Sequence, residues 1–364
     1  MENIKNIYTL PIEDLNYILI NTKDLWVNAY KANFFITGGT GFFGIWMLES
    51  FLWINERLNL NAQATILTRN YEAFKQKHPH LINALSLKYV TGDIRSFVYP
   101  KEKFDFIIHG ASASAESKFL CEDPEERLSI ILDGTRNILR FAAYNNTKSF
   151  LYISSGAVYG KQPPSISSLD EQYNGSPNIN EANAEVGIGK KVSEFLCTVY
   201  SKKHNMDIKI ARCFTFIGPY LQLNLHYAVG NFIRDALMGG PIIVKSDGSA
   251  VRSYMYASEL IVWLWTILFK GKNCDPYNVG SEEPITIKDL AFKVAEIYKE
   301  LTGKSVDVIV QGKASPEKRV DRYIPSTKKA QTELGLKQTL TLEEAIKKTF
   351  LFYLSAQKNF YTNL

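Results

Sequence analysis

Cysteine is scarce in this chain of 364 residues: Cys121, Cys197, Cys213 and Cys274 are the only four, and they show no metal or redox spacing. Reduced, buried thiols are the plain reading, and a disulfide scaffold is excluded. Long apolar runs are missing too. The most apolar stretch, Leu260 to Phe269, is too short to span a bilayer, and no signal peptide opens the chain. The expected setting is therefore the cytoplasm, without a membrane partner. Charge of one sign is also in short supply: Lys+Arg 42 against Asp+Glu 37 leaves +5, and no basic run exceeds a pair such as Lys328-Lys329. This excludes a nucleic-acid-binding arm but suits a small anionic substrate. No internal repeat and no low-complexity tract is present. What remains is ordinary globular composition, 46% hydrophobic and 22% charged, in a length that fits one large domain or two medium ones.

Residues 1–31 read as an N-terminal helical extension, with helical apolar spacing around Pro11-Ile-Glu-Asp-Leu and Asp24-Leu-Trp-Val. From Asn33 the pattern becomes short apolar runs alternating with amphipathic stretches. Strands are expected at Asn33–Thr37, Ala64–Thr68, Leu87–Thr91, Phe104–His109, Ser149–Ser154 and Ile208–Arg212. Helices are expected at Phe43–Trp53, Tyr71–His78, Pro124–Tyr144 and Glu185–His204. Most of the strand runs are continuously apolar, as strands covered on both faces should be. The fold class is α/β, a doubly wound parallel sheet. After residue 213 Gly and Pro punctuate the chain more often, which points to a smaller mixed α/β lobe over 213–350 and a tail over 351–364. The sheet domain would then span 32–212 with interleaved parts of 213–280. The Pro-, Ser- and Asn-rich segment 160–183 reads as a surface loop, since regular patterns resume on both sides.

The stretch Phe34-Phe-Ile-Thr-Gly38-Gly-Thr-Gly41-Phe42-Phe43-Gly44 carries the most chemistry. Its glycines follow a strand and open a helix. Gly38 permits the tight turn, Gly41 lets backbone approach a pyrophosphate, and Gly44 lets the helix pack close to the strand. The amides and positive end of that helix would hold the phosphates. This is a Rossmann-type dinucleotide-binding arrangement. At the end of the next strand Thr68 stands where an acid would bind the ribose of NAD, and Arg69 follows it. A guanidinium there suits the additional phosphate of NADP, so the expected cofactor is NAD or NADP, with a tilt toward NADP.

The spacing Gly38-x-x-Gly41-x-x-Gly44 resembles the extended short-chain dehydrogenase/reductase family, in its nucleotide-sugar epimerase/dehydratase branch, over nearly all of residues 33–350. Further segments match in order. Gly92-Asp93-Ile94 is similar to the family's adenine-contacting turn, and Ile108-His-Gly-Ala111-Ser112 to the strand end beneath the nicotinamide ribose. Asp133-Gly-Thr-Arg-Asn137 resembles the supporting helix, Ser154-Ser155-Gly-Ala-Val-Tyr159-Gly160 the catalytic serine/threonine strand end, and Arg212-Cys-Phe-Thr-Phe-Ile-Gly-Pro-Tyr220 the approach to the sugar-nucleotide site. Asp247-Gly-Ser-Ala-Val-Arg252-Ser-Tyr254 is similar to the segment whose arginine grips a substrate diphosphate, with Tyr277-Asn-Val-Gly280 and Arg322 completing the set.

The resemblance implies a catalytic Ser155, with Lys190 holding the nicotinamide ribose and lowering the pKa of a neighbouring acid–base group. It implies Gly38, Gly41, Phe42, Phe43, Gly44, Arg69, Asp93, Ile94, Ala111 and Lys190 at the cofactor. Ser112, Asn231, Arg252 and Arg322 fall to a nucleoside-diphosphate sugar, and no metal is expected. A homodimer through Pro124–Tyr144 and Glu185–His204 is expected, as is a role in surface-polysaccharide (lipopolysaccharide) precursor synthesis. Two departures stand out. The family's acid–base tyrosine, four positions before the lysine, is Val186 here. The carboxylates that dehydratases place straight after the serine, and the glutamate that decarboxylases use at the second of those positions, are replaced by Gly156 and Ala157. Hydride transfer at sugar C4 remains, as epimerisation or ketone reduction. The proton would move through Ser155, Tyr159 or a water held by Lys190, unless the chain is a catalytically silent cofactor binder or an active-site variant.

Overall fold

A computed structural model describes residues 9–112, 123–225, 227–313 and 320–362; Cys121 lies outside them. In chain order the first half comprises α1 (Ile12–Thr22), β1 (Asn33–Thr37), α2 (Phe42–Arg57), β2 (Gln63–Thr68), α3 (Tyr71–Lys77), α4 (Pro79–Ile82), β3 (Leu87–Thr91) and β4 (Phe106–His109). Next come α5 (Pro124–Asn145), β5 (Ser149–Ser155), α6 (Glu185–His204), β6 (Ile208–Cys213), β7 (Phe216–Ile217), α7 (Ala228–Leu237), β8 (Ile242–Val244), β9 (Val251–Arg252) and β10 (Met255–Tyr256). The chain continues with α8 (Ala257–Lys270), β11 (Pro276–Val279), β12 (Ile285–Thr286), α9 (Ile287–Thr302), β13 (Val308–Val310), β14 (Arg322–Tyr323), α10 (Lys328–Leu334) and α11 (Leu342–Thr362).

Seven strands form one parallel sheet in the order β11-β6-β5-β4-β1-β2-β3. The order reverses beside β1, because the chain first winds outward through β2 and β3 and then returns through β4. That reversal opens a crevice at the carboxyl ends of β1 and β4, where ligands settle in folds of this kind. The central strands β1, β4 and β5 are buried almost end to end, which explains their largely apolar sequences. Helix α5 starts with Pro124 behind an Asp123 cap and ends on left-handed Asn146, two ordinary start and stop devices.

The expected sheet and helix boundaries hold to within a few residues. The larger difference is α2, which runs on to Arg57 because Asn55 uses its amide to bond Ala62 in both directions and fasten the helix end to β2. The apolar run expected to be too short for a membrane is α8, whose residues from Leu260 to Leu268 are buried. It packs against α1, α2 and the sheet. No helix among the described residues is long and apolar enough to cross a membrane.

The N-terminal extension is built into that core. Trp26 is buried and meets Trp265 at 4.8 Å and Phe269 at 5.2 Å between ring centroids, while the Asp14 carboxylate accepts from the Tyr256 hydroxyl at 2.8 Å. At the other end, the boundary drawn at residue 351 cuts through α11. Beyond β6 the smaller elements form three short sheets, β10-β7, β12-β9-β14 and β13-β8.

Candidate functional site

Each glycine of the first turn has its own physical reason. Gly38 has φ +76°, and a Cβ there would sit 2.5 Å from the backbone of Gly110. A Cβ on Gly44 would meet Gly39 backbone at 2.3 Å, so this glycine lets α2 close onto the turn. At Gly41 a Cβ would meet nothing nearer than 3.7 Å. Packing within the protein does not require glycine at that point, and room is left beside it. Gly41 caps α2 without a side-chain bond, and the first turn carries no acid. The amides of Phe42, Phe43 and Gly44, lacking acceptors within the helix, face the same space.

A relay of hydrogen bonds fixes the neighbouring strand ends. The Ala111 amide donates to Thr37 Oγ1 at 3.1 Å, and the Thr37 hydroxyl lies 2.8 Å from His109 Nδ1. His109 Nε2 lies 3.1 Å from Thr135 Oγ1, whose hydroxyl donates to the Ile131 carbonyl at 2.6 Å. Because Thr135 spends its proton on Ile131, it accepts from Nε2–H, and in the neutral ring that burial favours the Thr37 hydroxyl donates to Nδ1. Burial, aided by the Lys190 charge, holds this imidazole well below its ordinary range. His109 therefore braces the turn.

These elements line a cavity of about 1170 Å³ at the carboxyl edge of the sheet, larger than the ~300–1,000 Å³ usual for one drug-sized ligand. Gly38, Gly41, Phe42, Phe43 and Gly44 lie along it, with Arg69, Asp93 and Ile94 at one end. Arg69 is exposed there. Asp93 is gripped by Arg95 through Nε and Nη2, both at 2.9 Å, which holds its carboxyl below the usual range. Ala111, Ser112, Ser155, Val186 and Lys190 follow in the middle, and Arg252 stands at the far side.

Ser155 ends β5, and its Oγ accepts from the Ala157 amide at 3.1 Å, which leaves its proton free to donate. Lys190 is buried, donates to the Ile153 carbonyl at 2.7 Å and lies 4.8 Å above the Tyr152 ring. Burial brings its ammonium down to about 8. One turn further along α6, Glu194 accepts from Ser154 Oγ at 2.6 Å and pairs with Arg212 at 2.7 Å. Cys213 also borders the cavity, its thiol pushed up to about 12 by burial, so it stays protonated.

The structure does not bring every expected residue to this place. Asn231 lies on α7 outside the lining, where its carbonyl oxygen accepts from Arg234 at 3.1 Å. Arg322 is also outside it, because neighbours on a strand alternate faces: Asp321 and Tyr323 look into the cavity and Arg322 looks away. Tyr159 is no proton carrier for the cavity. Its hydroxyl is spent in the core, donating to Asn278 at 2.8 Å and accepting from Arg212 at 2.9 Å. Arg252 does reach the cavity, with Nη2 on Asp321 at 2.5 Å. Sequence reasoning missed Tyr323, which sits against Phe214 at 4.6 Å between ring centroids. Alternation along the strand puts Arg322 and Tyr323 on opposite faces, but nothing in the local sequence says which face looks inward. Among the described residues no cluster of three or more metal-ligating side chains occurs.

Comparison with known proteins agrees with this architecture. The model of the NAD dependent epimerase/dehydratase family matches residues 34–280. UDP-glucuronic acid decarboxylase 1 of Xenopus tropicalis is 26% identical over 323 residues, covering 89% of this chain and 72% of that protein. The UDP-glucose 4-epimerase of Thermotoga maritima, solved with UDP-glucose, superposes with a TM-score of 0.74 at 19% identity, covering 89% of this chain and 99% of the other. The UDP-glucuronic acid 4-epimerase of Bacillus cereus, solved with UDP-glucuronic acid and NAD, gives 0.74 at 20% identity, covering 89% and 98%.

Lys190 generates a stability prediction. Its amine titrates at about 8 in the folded chain against an ordinary 10.5. Folding therefore opposes protonation; the penalty is full below the folded value and disappears as pH rises from the folded value to the ordinary one. Lys190→Met should be more stable than the parent by ~1–3 kcal/mol near neutral pH, with the gap closing toward about pH 10. Denaturant unfolding at a series of pH values measures it. A variant less stable at every pH would show that the bond to Ile153 outweighs the buried charge.

Proposed function

The chain belongs to the NAD-dependent epimerase/dehydratase family, and on that premise we propose that it transfers hydride at C4 of a nucleoside-diphosphate sugar. The observation that carries this is the single cavity, in which an amide-lined turn, Ser155, Lys190 and Arg252 share one lining without a carboxylate beside Ser155. Bound NAD would supply the hydride acceptor and donor. The α2 amides would hold its pyrophosphate and Asp93 its adenosine end. Arg69, exposed at that end, fits the extra phosphate of NADP. Lys190 would hold the nicotinamide ribose, and the free proton of Ser155 would hold the reacting sugar oxygen. Arg252, released from Asp321, would clamp the diphosphate.

The relatives named as decarboxylases do not decide the reaction. Gly156 and Ala157 offer no carboxylate, and a Cβ on Gly156 would fall 2.6 Å from the Tyr323 hydroxyl and 2.7 Å from Phe214 Cζ. We therefore favour C4 epimerisation over elimination or decarboxylation. Val186 favours a second reading, reduction of a 4-keto sugar, because no side chain at that position can accept the proton that oxidation releases. By family analogy the product would feed surface-polysaccharide precursors. A homodimer is supported by Val192, Phe195 and Val199, apolar and exposed along one face of α6, with Phe195 at 65%.

Three measurements test the proposal. Gly41→Val should fold, since its Cβ meets nothing nearer than the Gly38 carbonyl at 3.7 Å, yet lose NAD binding by at least ~100-fold in calorimetry, because the side chain fills the room left for phosphate. Undiminished binding would remove the turn from the site. Arg252→Ala should weaken UDP, dTDP, CDP or GDP by ~10–100-fold and leave NAD unchanged; no affinity for any of the four would refute the substrate class. Phe195→Glu should convert a sedimenting dimer to monomer, and a dimer that survives it uses another face.

A further inference from the structure

Three phenols line the cavity, Tyr227, Tyr254 and Tyr323, and of these Tyr323 is the one beside Ser155. Tyr323 lies on β14, in register with Arg252 of β9, and its hydroxyl is within hydrogen-bonding reach of the Ser155 side chain. It also occupies the volume that a side chain at position 156 would need, 2.6 Å from the ideal Cβ. The missing carboxylate and the inserted phenol are thus two sides of one packing solution. The position is strongly held. Ile324 donates its amide to Gln162 Oε1 at 2.9 Å and accepts from Leu169 at 2.8 Å, and Ser326 donates to the Leu169 carbonyl at 2.7 Å. The loop that follows Ser155 therefore straps Tyr323 beside Ser155. Phe214 closes the other face of the ring. Across the cavity Val186 offers no proton.

We infer that Tyr323 is the acid of the reducing step, giving its proton to the ketone oxygen of a 4-keto sugar nucleotide held also by Ser155. This rests on the reading of the cavity as a nucleotide-sugar site, and it serves epimerisation and ketone reduction alike. In the step the carbonyl π bond breaks. Hydride from reduced nicotinamide forms the C–H bond, the Tyr323 O–H bond breaks, and its proton forms the O–H of the alcohol. The ketone is reduced, the nicotinamide is oxidised, and the phenolate recovers a proton from water. Burial raises this phenol above its ordinary range, so it is protonated at neutral pH, with Arg252 opposing the shift in part.

Tyr323→Phe keeps the ring and its packing. Oxidation of NADH by UDP-4-keto-6-deoxyglucose should fall by ~10²–10⁴-fold in this variant, while UDP affinity stays within twofold of the parent. A parent-like rate would overturn the assignment. Calorimetry supplies a readout apart from turnover: Tyr323→Phe should bind UDP-glucose about tenfold more weakly, the loss of one hydrogen bond to the sugar, and UDP equally well. If the parent shows no turnover with this ketone, the reaction reading fails and the binding pair alone decides Tyr323. Equal affinities of parent and variant for both ligands would then overturn the assignment, and a parent that binds neither ligand overturns both readings.

Discussion

A buried ion pair, Glu194 with Arg212, holds the cavity edge of this molecule together. From α6 the carboxylate takes the Ser154 hydroxyl on β5 and the Arg212 guanidinium on β6. Arg212 passes the connection to Tyr159, Tyr159 to Asn278 on β11, and Asn278 to the carbonyls of Leu169 and Ser326. One chain of bonds therefore joins three sheet strands, the helix carrying Lys190, the loop after β5 and the segment carrying Tyr323. Removing one partner of a buried pair costs ~3–5 kcal/mol because the other charge is left unpaired. Here it would also release the elements that face each other across the cavity.

The second constraint is crowding at the reversal of strand order. Gly38 and Gly110 approach too closely for any side chain on Gly38, and the Thr37–His109–Thr135 relay holds their strands in that approach. His109 carries no net charge, and the positive groups along the cavity are the α2 end, Lys190, Arg69, Lys161 and Arg252. Such a setting favours anionic phosphates over the turn. It suits a proton donor better than a base beside Ser155, since the phenol there is held protonated and no carboxylate accompanies it.

The sheet was legible because burial on both faces leaves continuous apolar runs, and the glycine turn because each glycine answers a different steric demand. Long-range contacts were not legible. The N-terminal extension carries no motif, yet Trp26 enters the central aromatic cluster through Trp265, a partner 239 positions away. Choosing Arg322 over Tyr323 depended on which face of a two-residue strand looks inward, and local sequence does not set that face. The bonds from Gln162 and from the carbonyl and amide of Leu169, supplied by a loop that reads as featureless surface, do. The loop's function was hidden for the same reason.

 

The central claim is that a dinucleotide and a sugar nucleotide meet in one cavity and exchange hydride at sugar C4. The most direct measurement follows the hydrogen itself: the NAD-loaded protein is incubated with UDP-hexoses carrying deuterium at C4, and the cofactor and sugar are separated and weighed by mass spectrometry. The account predicts deuterium in the nicotinamide of the bound cofactor, and sugar that has lost or recovered its label at C4 alone. Label that never leaves C4, with the cofactor unlabelled for every sugar that binds, would contradict it.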